Sequence, residues 1–258
     1  MEADRPGRWK RFSAAVAKGD STPILYFIHI LLPHAPFQFL PSGEKYVLAD
    51  NLPAHDQVWE DEGEALVCYY RHLLQLGFVD RLLGDLLAGM KQTGLYDSSL
   101  LVLLADHGIS FRLGENPRGL TAENVLDVVS VPFFIKRPHQ NHSEIIDQDV
   151  ELVDVLPTVL DVLNVSPQWQ MQGRSARTRP GQDRVDKRVL EGGLRNWVHY
   201  EVDHDAKYQT LQRKLEWFGT GADANGFFTP RKHNKKLQEF ADWVSSRIRK
   251  EISSASAR

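Results

Sequence analysis

The sequence is short of cysteine, of net charge and of long apolar runs, and each shortage removes a class of protein. A single cysteine among 258 residues, Cys68, excludes an intrachain disulfide framework. Its neighbours Val67 and Tyr69 sit in a helical pattern, so the expectation is a buried thiol. A formal net charge of −3, from 31 basic and 34 acidic residues, is too mild to point to nucleic acid or a membrane surface. No apolar stretch reaches the ~18 residues needed to span a bilayer. The opening residues lack the charged-then-apolar block of a signal peptide. There is no internal repeat and no low-complexity segment. What is present is ordinary for a globular chain, 42% hydrophobic and 25% charged. The length suffices for one large α/β domain or two small ones.

Against that background two constellations stand out. The apolar run Leu100-Leu101-Val102-Leu103-Leu104 leads directly into Asp106-His107-Gly108. Such a run reads as a buried strand, and ligand groups in open α/β sheets sit beyond the carboxyl ends of strands. A carboxylate and an imidazole side by side there can reach one metal ion, and Gly108 permits a sharp turn close to a ligand. Alternatively, Asp106 only caps a turn beside a hydrogen-bonded His107. The second constellation is the turn PHAPF at residues 33–37, which follows the apolar run at 24–32. Pro33 and Pro36 fix φ around His34, which places an imidazole to donate to an anion or to a leaving oxygen.

Other elements alternate between helix and strand. A helical pattern covers residues 62–93 and closes at Gly94, with Tyr69, Leu73, Leu76, Leu83, Leu87 and Met90 as its apolar stripe. Asp80 falls within that stripe and is expected to be a buried carboxylate bonded to backbone. The polar loop at 110–119 carries Arg112 and Arg118, either of which could meet an anionic ester with a fork of donors. A strand at 131–135 and a helix at 154–160, with Pro157 in its first turn, follow. Basic residues crowd 174–195. A strand at 197–202, a helix near 208–218 and an amphipathic tail helix with Leu237, Phe240, Val244 and Ile248 at helical spacing complete the chain.

The order is strand, PHAPF, long helix ending in GLYD, strand, ADHG, then VPFFIKRP and VDVLPTVLDVLNV. From about Ile24 to Arg174 it resembles the later part of sulfatase-like hydrolases and transferases of the alkaline phosphatase superfamily. The resemblance implies an alkaline phosphatase-like α/β/α sandwich with a mainly parallel sheet, incomplete at its N-terminus. It implies Asp106 and His107 as metal ligands and His34 as the imidazole that contacts the substrate ester, with Arg112 as a further candidate for substrate binding. A divalent metal, calcium, zinc or manganese, is the implied cofactor, and a sulfate or phosphate ester the implied substrate. Family members of this type are usually membrane-anchored, with an extracytoplasmic catalytic domain.

The departure from the pattern is at the front. Family members carry a first acidic ligand and a nucleophile well before the PHAPF segment. Here residues 1–22 are polar and basic, without a strand, and no Cys-x-Pro-x-Arg or Ser-x-Pro-x-Arg occurs. The expected organisation is a polar lead at 1–22, a sulfatase-like α/β domain at 23–174, a basic linker at 175–195 and a strand and helix extension at 196–258. Three readings follow. The chain is the later part of an ester hydrolase or transferase, inactive in isolation; or a non-catalytic fragment that binds a partner or an anion; or a protein whose site is completed by a separate N-terminal segment.

Overall fold

The computed structural model describes residues 4–19, 22–48, 52–53, 57–146, 149–177, 186–190, 197–201, 203–223 and 226–255. The polar lead holds a helix that its composition did not announce, α1 (Arg5–Lys18). The Asp4 carboxylate accepts from the Gly7 amide at 2.9 Å and Pro6 sits in the first turn, both favourable helix starts. Trp9 and Val16 bury one stripe of it.

The organising element is α2 (Glu62–Gln92), 31 residues long. Asp61 caps it by accepting from the Glu64 amide at 2.9 Å, and Glu62 and Glu64 place negative charge in the first turn, where the helix dipole favours it. Its first half is buried on several sides because two layers pack on it. Leu66, Tyr70, Leu73 and Leu74 form one core with Leu237, Phe240, Ala241 and Val244 of the tail helix α7 (Lys235–Ala255), joined by Phe218 at the end of α6 (His204–Phe218). Ala65 and Cys68 face a second cluster with Phe37, Trp59 and Phe111. Cys68 is buried, as its flanks imply. Asp80 departs from expectation. It lies exposed, because the second half of α2 has lost the tail helix as a neighbour and water solvates the carboxylate directly.

After the short helix α3 (Leu95–Ser98), β1 (Leu101–Leu104) pairs with β2 (Phe133–Lys136) in the register Leu101↔Lys136 to Leu104↔Phe133. The pairing is antiparallel, and so is that of β3 (Asp186–Leu190) with β4 (Trp197–Glu201). A mainly parallel sheet is therefore not found among the described residues. The reason lies in the connection between β1 and β2. Parallel neighbours need a crossover, usually a long helix over the sheet. Here the intervening helix α4 (Val125–Val129) is short and folds back against the end of β1, with the Gly108 amide donating to Val128 O at 2.6 Å. The chain returns along the same edge and runs antiparallel. A 3₁₀ turn (Leu152–Asp154) leads into α5 (Val155–Val162), where Pro157 occupies the first turn as its position implied.

The run at 24–32 is extended and has strand periodicity. Tyr26, Ile28, Ile30 and Leu32 are the more buried set, while Leu25 is 87% and Phe27 80% exposed. Its inner face packs on α2 through Leu32, Ile30 and Phe78. It is nonetheless not a strand of any sheet among the described residues. Part of the expected basic linker, including Arg179 and Arg184, lies outside the described residues. Among the described residues no helix is long and apolar enough to cross a membrane.

Candidate functional site

The turn at 33–37 is held by its backbone oxygens. Pro33 and Pro36 supply no amide, so these carbonyls need donors from elsewhere. Arg5 of α1 donates Nη1 to His34 O at 2.6 Å and Nη2 to Ala35 O at 2.8 Å. Gln75 of α2 donates Nε2 to Pro33 O at 3.0 Å and His34 O at 2.9 Å, while its Oε1 accepts from the Gln38 amide at 2.9 Å. Arg71, one helical turn earlier, donates to Phe37 O at 2.8 Å. All three side chains are buried. Sequence reading missed them, although Arg71 and Gln75 interrupt the apolar run YYRHLLQLGF at an i, i+4 spacing that only a polar partner for one helix face explains.

His34 is thereby presented with an exposed ring. Its Nδ1 lies 2.6 Å from Ala35 O, which assigns the proton to Nδ1. The Nε2 atom is then an acceptor, and the Arg118 guanidinium donates to it. The pairing brings the PHAPF turn to the loop after β1. Of the two loop arginines, Arg118 and not Arg112 meets His34. The loop is fixed by Asn116 and Asn124: Asn116 Oδ1 accepts from the Arg118 and Gly119 amides at 2.8 and 2.7 Å, and buried Asn124 donates to Gly119 O at 2.7 Å.

Asp106 and His107 sit beyond the end of β1. Asp106 Oδ1 accepts from the His107 amide at 3.0 Å, which leaves the second oxygen open. His107 Nδ1 lies 2.8 Å from Gly108 O, which assigns the proton there and leaves Nε2 as a free lone pair. This is the tautomer that a metal-ligating histidine adopts. Both side chains are exposed, and together with His34 and Arg118 they line one cavity of about 3930 Å³. The carboxylate oxygen and imidazole nitrogen suit a divalent ion as part of a mixed ligand set. They do not complete such a set, since among the described residues no group of three or more His, Cys, Asp or Glu side chains gathers closely enough to hold a metal.

Gly108 gives room for a different reason than a ligand. A Cβ at this position would stand 2.2 Å from Asp127 O, so the space is taken by the backbone of α4. That contact ties the Asp106–His107 turn to a charged cluster. The buried Asp127 carboxylate accepts Arg213 Nη2 at 3.2 Å and pairs with Lys214 Nζ at 2.9 Å, both from α6. Burial pushes the Arg213 pKa down and Asp127 opposes that shift. Arg112 is half-buried, lines the same cavity, repels Arg213 and has no partner for its guanidinium among the described residues. Two cations of α6 thus face one carboxylate, with Arg112 near enough to Arg213 to repel it. Beneath them Tyr69 stacks on Phe111 with centroids 4.8 Å apart, its phenol pushed above its ordinary pKa by burial and then by Asp127. His72 lies against Phe37 and Phe111, with its Nδ1 buried and without a hydrogen bond. Burial lowers its pKa to about 4.

Comparison with known proteins adds a family. Residues 9–165 match the family model for sulfatases. Among curated proteins, an ulvan-active sulfatase of Formosa agariphila is 27% identical over 57% of this chain and 29% of its own length. A multifunctional alkaline phosphatase superfamily protein of Trinickia caryophylli is 28% identical over 60% of this chain and 29% of its own. An arylsulfatase of Clostridium perfringens is 24% identical over 62% and 33% respectively. The matched stretch thus spans a third or less of each of these relatives. A solved Bacteroides thetaiotaomicron protein assigned as a sulfatase aligns with 71% of this chain and 48% of its own at 15% identity and a TM-score of 0.42, too distant to bear on the fold.

Proposed function

The chain belongs to the sulfatase family, and from that premise we propose that Arg118, positioned by His34, and Arg112 bind the anionic group of a sulfate or phosphate ester while Asp106 and His107 contribute two ligands to a divalent metal. The observation that carries this reading is the Arg118 guanidinium against the His34 ring, which brings the loop that follows Asp106 and His107 to the PHAPF turn, all four side chains lining one cavity. Calcium, zinc and manganese all accept the oxygen and nitrogen donors offered.

The chain's own residues divide the work as follows. The Arg118 fork binds and orients the ester oxygens, and His34, whose Nε2 accepts from Arg118, aims that fork. Arg112 adds a second cation whose charge is not neutralised locally, and so favours an anion over a neutral ligand. The Gly108 carbonyl keeps the His107 proton on Nδ1 and aims Nε2 outward. A bound divalent ion would polarise an ester oxygen. The isolated chain is expected to bind the ester group without turning it over, because no Cys-x-Pro-x-Arg or Ser-x-Pro-x-Arg occurs in its sequence. The relatives' names, ulvan-active sulfatase and arylsulfatase, support sulfate esters as the substrate class.

The test combines binding and turnover. Titration with inorganic sulfate and phosphate should show weak anion binding that falls about tenfold in Arg118→Ala, the loss of one charge-assisted hydrogen bond. Aryl sulfates and aryl phosphates should not turn over above background with any of the three metals. Unchanged anion binding in both Arg118→Ala and His34→Ala would overturn the assignment. Turnover that is lost in His34→Ala would overturn the inactivity.

A further inference from the structure

Both halves of the candidate site lean on α4, a helix too short to hold itself. Five residues are hardly past the costly nucleus of helix formation, so the place of α4 is set by what grips it. At its start, buried Asn124 donates to Gly119 O at 2.7 Å and to Asn116 O at 3.2 Å, and Asn116 in turn holds the Arg118 amide. Further along, Val128 O accepts the Gly108 amide at 2.6 Å, and Asp127 O would stand 2.2 Å from a Cβ on Gly108. The Asp106–His107 turn is therefore pressed against the α4 backbone.

The side chain of Asp127 anchors that backbone to α6. Its buried carboxylate takes Arg213 Nη2 at 3.2 Å and Lys214 Nζ at 2.9 Å. Arg213 is itself steadied, lying over the Trp217 ring at 5.8 Å, while Trp217 meets Tyr69 of α2 edge-on at 6.0 Å. All of α6 lies beyond residues 9–165, the part that matches the sulfatase model. A buried ion pair contributes little net stability, because desolvation offsets most of the attraction, but it does fix the mutual placement of the elements that carry it.

We propose that Asp127, gripped by Arg213 and Lys214, is a positioning residue that sets the Asp106–His107 turn so that Gly108 O takes the His107 Nδ1 proton, and that α6 is thereby a working part of the site. The route is short. The α6 cations hold the Asp127 side chain, the Asp127 and Val128 carbonyls hold Gly108, and Gly108 O lies 2.8 Å from His107 Nδ1. If α4 were free to slide, Gly108 would loosen. The imidazole would then revert toward the Nε2-protonated form that a histidine favours in water, which presents no lone pair at Nε2. That this lone pair serves a metal rests on the proposed function. The link from α6 to the turn does not.

Nuclear magnetic resonance reads the link without using activity. Long-range proton–nitrogen correlation of the full 258-residue protein reports which ring nitrogen of each histidine carries the proton. It is recorded at about pH 8, above the ordinary imidazole range. His107→Gln identifies the His107 signals by their loss. Wild-type His107 should be protonated on Nδ1. In Asp127→Asn the ratio of Nδ1- to Nε2-protonated ring should fall about fivefold, the loss of one ordinary hydrogen bond. It should fall less in Arg213→Gln and in Lys214→Gln, each of which leaves Asp127 one cation. Leu237→Ala, which weakens the core between α2 and α7, should leave the ratio at its wild-type value, so that a general loss of stability does not mimic the effect. A wild-type ring protonated on Nε2 would overturn the proposal. So would an unchanged ratio in those of the three charge variants that fold. Failure of all three to fold while Leu237→Ala folds would equally overturn it, since Asp127 would then be structural only. A shifted ratio with manganese binding unchanged would support the positioning and remove His107 from the ligand set.

Discussion

Gly108 is the residue at which the fold and the candidate site constrain each other most tightly. A methyl group there would meet Asp127 O at 2.2 Å, and the atom it meets is backbone, which cannot swing away. Gly108→Ala should cost about 3 kcal/mol in chemical denaturation, in the range of forced overpacking, and should shift the Asp106–His107 turn off α4. His72 makes a prediction of a different kind. Its folded pKa of about 4 lies below the ordinary value, because burial penalises the imidazolium. Between about 4 and about 6.5 the unfolded chain therefore binds more protons than the folded one. The stabilisation from keeping His72 neutral is complete above pH 6.5 and is lost as the pH falls toward 4. Urea denaturation across that window should show a steeper loss of stability in the wild type than in His72→Gln. Parallel curves would mean that the ring is solvated.

Among the elements, the docking of α7 on α2 carries the main core, and single truncations there should be felt globally. Leu237 is fully buried against Leu66 and Tyr70, so Leu237→Ala should cost about 2–5 kcal/mol by calorimetry or urea denaturation. That helix was legible in the sequence, because Leu237, Phe240 and Val244 mark one face at helical spacing and the opposite face is charged. So was α2, whose cap and closing glycine bracket an apolar stripe. The strands were legible as runs but not as a sheet. Periodicity reports which side chains share a face, and it is silent on which neighbour satisfies the backbone. The direction of β2 depended on how the short α4 turns back, a tertiary matter of Gly108 and Val128. α1 was hidden because Asp4 and Pro6 are weak signals and its buried stripe is only Trp9 and Val16. In the candidate site, His34, Asp106 and His107 were singled out because each follows an apolar run, although the run before His34 joins no sheet among the described residues and their roles are proposals. Arg118 could not be ranked above Arg112, since only the fold decides which guanidinium faces His34. Arg5, reaching the turn from α1, left no local mark at all.

At the scale of the molecule, two metal donors from one turn set a ceiling on affinity. Tight protein sites use three or four protein ligands, so calorimetric titration should give weak binding of zinc or manganese, weaker again in Asp106→Asn and His107→Ala. Both side chains are exposed, so neither substitution should lower the melting temperature. Tight stoichiometric binding by the unaltered protein would reveal ligands in addition to this pair. The ion pairs of Lys236 with Asp61 and Glu64 have a separate implication, for how the chain is made. Lys236 and Glu64 are separated by 172 positions, and α7 supplies part of the cover over the face of α2 beside them. On a ribosome that adds 5–20 residues per second, that face emerges roughly 9 to 34 s before that part of its cover exists. During each round of synthesis the protein therefore passes through an interval with Leu66, Tyr70 and Leu74 lacking that part of their cover, and its yield in the cell depends on what shields them until α7 arrives.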